Sequence, residues 1–204
     1  MDTRERILVR AGELFPQLGI RNVTMDQISA DLGISKRTIY EHFRDKDDLV
    51  IQMVEYEMVR NNRKLLDIVA NTDNAIEALF MIIETEYLRI TSFSPLFLED
   101  IKKYIVRIHE CFFEDLQKMR EFSVSYAILE KGLREDIFRK ELAIDVVDNF
   151  LHELGSFFHS RPRLRLMKLE KEDVLRNILL PYFRGICTRK GQDLIDTYFE
   201  KQTI

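Results

Sequence analysis

Thr24-Met25-Asp26-Gln27-Ile28-Ser29-Ala30-Asp31-Leu32-Gly33-Ile34-Ser35-Lys36-Arg37-Thr38-Ile39-Tyr40-Glu41-His42-Phe43-Arg44-Asp45-Lys46 reads as two short helices around a tight turn. Thr24 and Gln27 form a capping box, in which the hydroxyl accepts from the Gln27 N–H and the Gln27 side chain reaches back. Ile28 and Leu32 recur at i, i+4 and give the first helix one apolar stripe. Gly33 suits the left-handed residue that ends a helix. Ile34 reads as the buried plug of the turn, and Ser35 as the next N-cap. Ile39 and Phe43 repeat the i, i+4 stripe, so the opposite face of the second helix stays free. That face carries Lys36, Arg37, Thr38, Tyr40 and, near its end, His42.

The cations are placed against the usual rule. A helix N-terminus carries partial positive charge and favours Asp or Glu. Lys36 and Arg37 sit there instead, and a residue that breaks a local rule marks a functional position. A phosphate or a guanine edge facing the helix end would compensate. Two helices around a turn, with cations opening the second, is how a protein sets a helix end into the major groove of DNA. The next helix opens at Asp45, with Asp47 and Asp48 in its first turn. Lys46 among them reads either as a phosphate contact beside free helix N–H groups or as a solvated charge.

These residues carry a resemblance. Thr24 to Phe43, then Lys46-Asp47-Asp48-Leu49, preceded by a helix from Arg4 to Leu18 with Leu14-Phe15 and then Gly19, resemble the DNA-binding domain of the tetracycline-repressor-like (TetR) family of bacterial regulators. The resemblance implies roles. Thr24 would touch a phosphate at the start of its helix. Lys36, Arg37 and Thr38 would face the groove. Tyr40 and His42 would hold the backbone, and Lys46 would add a phosphate contact. Two departures from the family pattern stand out. Pro16 lies in the last turn of the first helix, where it removes a hydrogen bond and is expected to loosen or kink that turn. Asp136, in Glu130–Arg139, stands where a second glycine is usual.

The 204 residues allow one or two domains. An apolar content of 46% supports a sizeable core, and only 7 Gly and 4 Pro favour long helices over many short strands. The net charge is −4, and residues 1–50 hold 8 Lys/Arg against 9 Asp/Glu. Bulk charge therefore does not advertise nucleic acid, and the case for DNA rests on local geometry. Cys111 and Cys187 lack metal-type spacing and read as buried free thiols of a reducing cytoplasm. The start, Met-Asp-Thr-Arg-Glu-Arg, lacks the apolar run of a signal peptide. No stretch approaches the ~18 apolar residues of a membrane span, so a cytoplasmic protein without a membrane partner is expected.

The rest of the chain shows helical periodicity. Expected helices cover Lys46–Ala70, Ala75–Ile90 after a capped turn at Asn71–Asn74, and Leu96–Lys131 with a break near Tyr104 and a stop at Gly132. Others cover Ile144–Ser160, Asp173–Cys187 interrupted at Pro181, and 191–201. Arg161–Lys168 reads as a basic connector. The expected fold is all-α, with a helix-turn-helix domain over 1–48 and a helical domain over 49–204. The resemblance implies that the second domain binds a small molecule and dimerises through about 144–160 and 173–187.

Other constellations carry less. Asp148, His152 and His159 share a helical stripe, but that stripe reads as a solvated or dimer-rim face rather than a metal site. His109-Glu110-Cys111 diverge around a helix. Phe80, Phe97, Phe112, Phe113, Met119 and Tyr126 could line an apolar pocket or simply fill the core. No phosphate loop and no nucleophile–base arrangement stands out, so neither an enzyme nor a cofactor is expected. With the resemblance, the expectation is a homodimeric repressor on a palindromic DNA operator, released, as the resemblance implies, by a small apolar or amphipathic effector. The alternative is a DNA-bound adaptor whose helical domain binds a protein partner with no small-molecule effector.

Overall fold

Side-chain caps set the first elements. Asp2 accepts from the Glu5 N–H at 2.7 Å and opens α1 (Thr3–Leu18). Thr24 accepts from Gln27 N–H at 3.1 Å and opens α2 (Met25–Leu32). Ser35 accepts from Thr38 N–H at 3.0 Å and opens α3 (Lys36–His42). Asp45 accepts from Asp48 N–H at 2.8 Å ahead of α4 (Lys46–Asn71). Each bond satisfies a donor that the helix itself leaves orphaned. Gly33 ends α2 at φ 64°.

This computed structural model describes residues 1–104, 120, 123–160 and 171–202. Helices α5 (Ala75–Thr91), α6 (Pro95–Asp100), α7 (Val124–Arg134), α8 (Ile144–Ser160), α9 (Lys171–Val174), α10 (Leu180–Ile186) and α11 (Arg189–Gln202) follow. Among the described residues the fold is all-α, and its β pairing is one isolated bridge between Phe138 and Cys187. No described helix is long and apolar enough to cross a membrane.

The chain forms two compact units. One comprises Met1–Lys64 with Leu88–Met119, of which 105–119 lie outside the described residues; the other comprises Leu65–Tyr87 with Arg120–Ile204. In the first, the α1 stripe Ile7, Leu8, Ala11, Leu14 and Phe15 meets Ile28, Ile39, Phe43, Leu49 and Met53, with Phe97 and Tyr104 added from the later segment. Ile34 is half-buried rather than fully enclosed, because it sits at the surface-facing corner of the turn. The turn carrying Pro16 stays helical to Leu18. The Phe15 carbonyl accepts from Gly19 N–H at 2.9 Å, and the Pro16 carbonyl accepts from Ser94 N–H at 2.8 Å.

In the second unit the core gathers Ile76, Leu79 and Phe80 with Leu129, Ile137, Phe138, Phe183, Cys187 and Ile195. Two sequence expectations change here. Gly132 does not stop α7, which runs on to Arg134. Gly132 is needed for space instead, since a Cβ there would lie 2.2 Å from the Phe138 ring. The apolar pattern, expected to break near Tyr104 and then run on to Lys131, also breaks at Ser123, which caps α7. Asp136 takes φ 55°, the left-handed geometry that the missing glycine would supply. Asp tolerates that region better than most residues, and the Asp136 carboxylate pairs with Lys140 at 2.7 Å, which holds it below its usual range. Around Pro181, Leu175–Leu179 form a turn of π-helix ahead of α10. Proline has no N–H to give, and a locally widened helix accommodates the missing bond. The connector expected at Arg161–Lys168 lies outside the described residues.

Candidate nucleic-acid interface

Helix α3 is anchored by its apolar stripe. Ile39 and Phe43 are both fully buried, which turns the remaining faces outward. Lys36 and Arg37 are exposed at 48% and 89% of their side-chain surface, and Tyr40 at 46%. His42 is exposed at the end of the helix, beside the Phe43 ring. Thr38 is half-buried, its hydroxyl 2.8 Å from that of Ser35. Thr24 is exposed and uses its oxygen as the α2 cap, which leaves its hydroxyl proton to donate.

Each cation in the first turn of α3 is held by a carboxylate. Lys36 Nζ donates to Asp26 Oδ2 at 2.7 Å, and this bond raises its pKa. Arg37 Nε donates to Glu41 Oε1 at 3.2 Å. Exposed pairs of this kind are weak and salt-screened, so an incoming phosphate can take the cation from its carboxylate.

Lys46 differs. It is half-buried, with Nζ 3.5 Å from the Arg21 carbonyl. Burial pushes its pKa down, opposed by the charges of Asp100 and Asp47. A desolvated ammonium gains more from an arriving anion than a fully solvated one does. Sequence reading passed over two further cations in this unit. Arg44 is exposed just past α3 and pairs with Asp45 at 3.2 Å. Arg21 is 82% exposed yet bonded to Asp100. Adjacency to the motif could have flagged Arg44. Nothing local to Arg21 reveals a partner 79 residues away.

The other candidates are not assembled as a site. Phe80 and Phe97 belong to separate cores. Phe80 stacks on Tyr198 at 4.5 Å, and Phe97 meets Phe93 at 5.2 Å. Tyr126 is half-buried, with the Arg120 guanidinium over its ring at 5.8 Å. Phe112, Phe113, Met119 and the trio His109, Glu110 and Cys111 lie outside the described residues. Asp148 is not solvated as expected: it is 7% exposed and accepts from the Ser123 hydroxyl at 2.5 Å. His152 stands 3.7 Å from it, and the His159 side chain lies outside the described set. Among the described residues no group of three or more His, Cys, Asp or Glu could hold a metal ion. Cys187 is a buried free thiol whose pKa burial pushes to about 11.

The sequence profile described as bacterial regulatory proteins of the tetR family matches residues 7–53. An HTH-type transcriptional regulator of Staphylococcus aureus (strain bovine RF122 / ET3-1) is 36% identical over 58 residues, covering 28% of this chain. That match spans just under a third of the curated relative's length, 31%. Escherichia coli NemR in its reduced form superposes with a TM-score of 0.64 at 14% identity, over 92% of this chain and 98% of that one. The regulator FadR from Bacillus subtilis, solved with stearoyl-CoA, gives 0.54 at 19% identity, over 88% and 96%. At such identities the structural likeness speaks to the fold, while the sequence match is confined to the N-terminal segment: residues 7–53 carry the domain described as bacterial regulatory proteins, tetR family.

Proposed function

We propose that this protein is a DNA-binding transcriptional regulator, a ligand-responsive repressor that sits as a homodimer on a palindromic operator in the cytoplasm. The observation that carries the reading is α3, pinned by buried Ile39 and Phe43, with Lys36 and Arg37 exposed in its first turn. Lys36, Arg37 and Thr38 face the major groove. Thr24, Tyr40, His42 and Lys46 hold the phosphate backbone. Residues 1–48 act as the reader, and 49–204 form the helical effector and dimerisation domain. Two readers about 34–36 Å apart fit half-sites one helical turn apart.

The fold likeness to a regulator solved with stearoyl-CoA is in keeping with a small apolar or amphipathic effector. Regulation follows by linkage: an effector that binds better to a form with misplaced readers lowers DNA affinity by the same factor. The test is binding of the purified protein to the DNA upstream of its own gene, with salt varied. Tight, salt-sensitive binding that is lost in the Lys36→Ala/Arg37→Ala double variant is the expected result. Unchanged binding by that variant would overturn the assignment of α3 as the reading helix.

A further inference from the structure

Asp100 is a buried carboxylate in the first unit, 8% exposed. Burying a carboxylate is costly unless it is paired, and its bonds converge on one residue. Arg21 N–H donates to Oδ2 at 2.9 Å, and the Arg21 guanidinium forms an ion pair with Oδ1, Nε lying 2.9 Å away. Gly19 allows this closeness. At φ 86°, a Cβ there would sit 2.8 Å from Leu96 Cβ and 3.5 Å from Asp100 Oδ2. Arg21 is nevertheless 82% exposed. Its guanidinium is ion-paired to the buried carboxylate at Nε while most of the side chain stays in solvent. Its own carbonyl faces the Lys46 ammonium at 3.5 Å.

A neutralising partner would need only to lie over Asp100. Here the guanidinium is ion-paired to Asp100 yet largely exposed, and a second cation, Lys46, sits at the backbone carbonyl of the same residue. A planar two-donor edge matches the oxygens of a phosphate. The tether also removes the side-chain entropy that a free arginine loses on binding. We propose that Arg21 is a DNA-phosphate ligand, paired with Lys46 and set in place by the buried positioning residue Asp100. This rests on the DNA-binding reading above and adds a contact that the helix-turn-helix stretch itself does not contain.

Phosphate contacts are independent of sequence, so the test needs no operator. A labelled duplex of roughly 30 base pairs and arbitrary sequence, titrated from low salt upward, reads both affinity and the slope of log K against log salt. In the Arg21→Gln/Asp100→Asn double variant, the two introduced amides can bond each other. The amide oxygen at position 100 can still accept from the backbone N–H of position 21, so the loop keeps its ties without either charge. This variant is expected to bind several-fold more weakly at low salt, with the slope reduced by about 0.9 per bound protomer. Asp100→Asn alone keeps the Arg21 charge and loses only its placement, so it is expected to weaken binding with little change in slope. Circular dichroism checks folding. Arg21→Gln, which retains a neutral bond to Asp100, serves in place of the double variant if that one unfolds.

A folded variant lacking the Arg21 charge, with wild-type affinity and slope, would reduce Arg21 to a structural partner of Asp100 and overturn the proposal. If wild-type protein and Lys36→Ala/Arg37→Ala both lack salt-sensitive binding, the DNA reading fails and takes this proposal with it. If Lys36→Ala/Arg37→Ala weakens binding while the Arg21 variants do not, this proposal alone falls.

Discussion

Ser35 and Ser123 do the same local work in different units, and their surroundings are opposite. Each serine oxygen accepts a backbone N–H three residues on, at 3.0 and 3.1 Å. Ser123 is 1% exposed, and its helix end has an anion supplied from inside the protein: Asp148, itself buried, accepts from Ser123 and from Ser125. Ser35 is exposed, and the first turn of its helix holds Lys36 and Arg37 with no acidic residue. A carboxylate near a helix N-terminus is favourable and a cation there is not. The Ser123 end is electrostatically complete within the chain. At the Ser35 end the cations are paired only with exposed carboxylates, Asp26 on α2 and Glu41 one turn on. The buried helix end carries its own counter-charge, whereas the first turn of α3 has none, and under the proposed DNA reading a phosphate would supply it.

The sharpest way to break this contrast is at the buried cap. Ser123→Ala removes a cap and a buried hydrogen bond to a charge, so the expected loss of stability is about 2–4 kcal/mol. Chemical denaturation with a two-state analysis reads it. A loss no larger than that of Ser35→Ala would mean that the Asp148 cluster is decoration. At the open end the effect moves from stability to binding. Lys36→Ala and Arg37→Ala, made singly, are expected to weaken operator binding by roughly 5–150-fold if each reads a base edge. Their melting temperatures should barely change. A variant that lost stability and not affinity would place its cation with the Ser123 type of end.

The third effect is smaller. Ser35→Ala takes away an exposed cap and is expected to cost about 1 kcal/mol, read by the same denaturation. The α3 backbone should remain helical because Ile39 and Phe43 hold it from below.

These two helix ends were not equally legible in the sequence. The cap at Ser35, the cap at Thr24 and the stop at Gly33 act over three or four residues, so residue type and spacing identify them. The exposed face of α3 follows from Ile39 and Phe43 alone. At Ser123 the apolar stripe runs on from the preceding segment and hides the cap. Asp148 on an amphipathic helix reads as solvated because its serine partners lie 23 and 25 residues away. Gly132 reads as a stop because glycine often ends helices, but its role comes from the Phe138 ring packed against it. The Asp100 bonds to Arg21 span 79 residues. In each miss the deciding contact is non-local, and polarity alone does not reveal whether a charged residue is buried with a partner.

The smallest effect sharpens the comparison most, because it asks whether the open end is tuned from inside. Asp26 lies in the first turn of α2 and holds Lys36 Nζ at 2.7 Å. It is the nearest thing α3 has to the role of Asp148, but it is two-thirds exposed and on a different helix. When DNA binds, this carboxylate must either release the lysine or sit with its own charge near a phosphate, and both oppose binding. Asp26→Asn removes that competition while keeping size and hydrogen-bonding capacity. The expected outcome is a few-fold gain in affinity, larger at low salt where charge interactions are less screened. Stability should change little, since an exposed ion pair contributes little. Duplex titration at two salt concentrations separates the alternatives. A gain that shrinks as salt rises identifies Asp26 as a competitor for Lys36. A loss at both concentrations would mean that Asp26 holds the lysine in its reading position, which would make the open end partly pre-formed, as the buried one is.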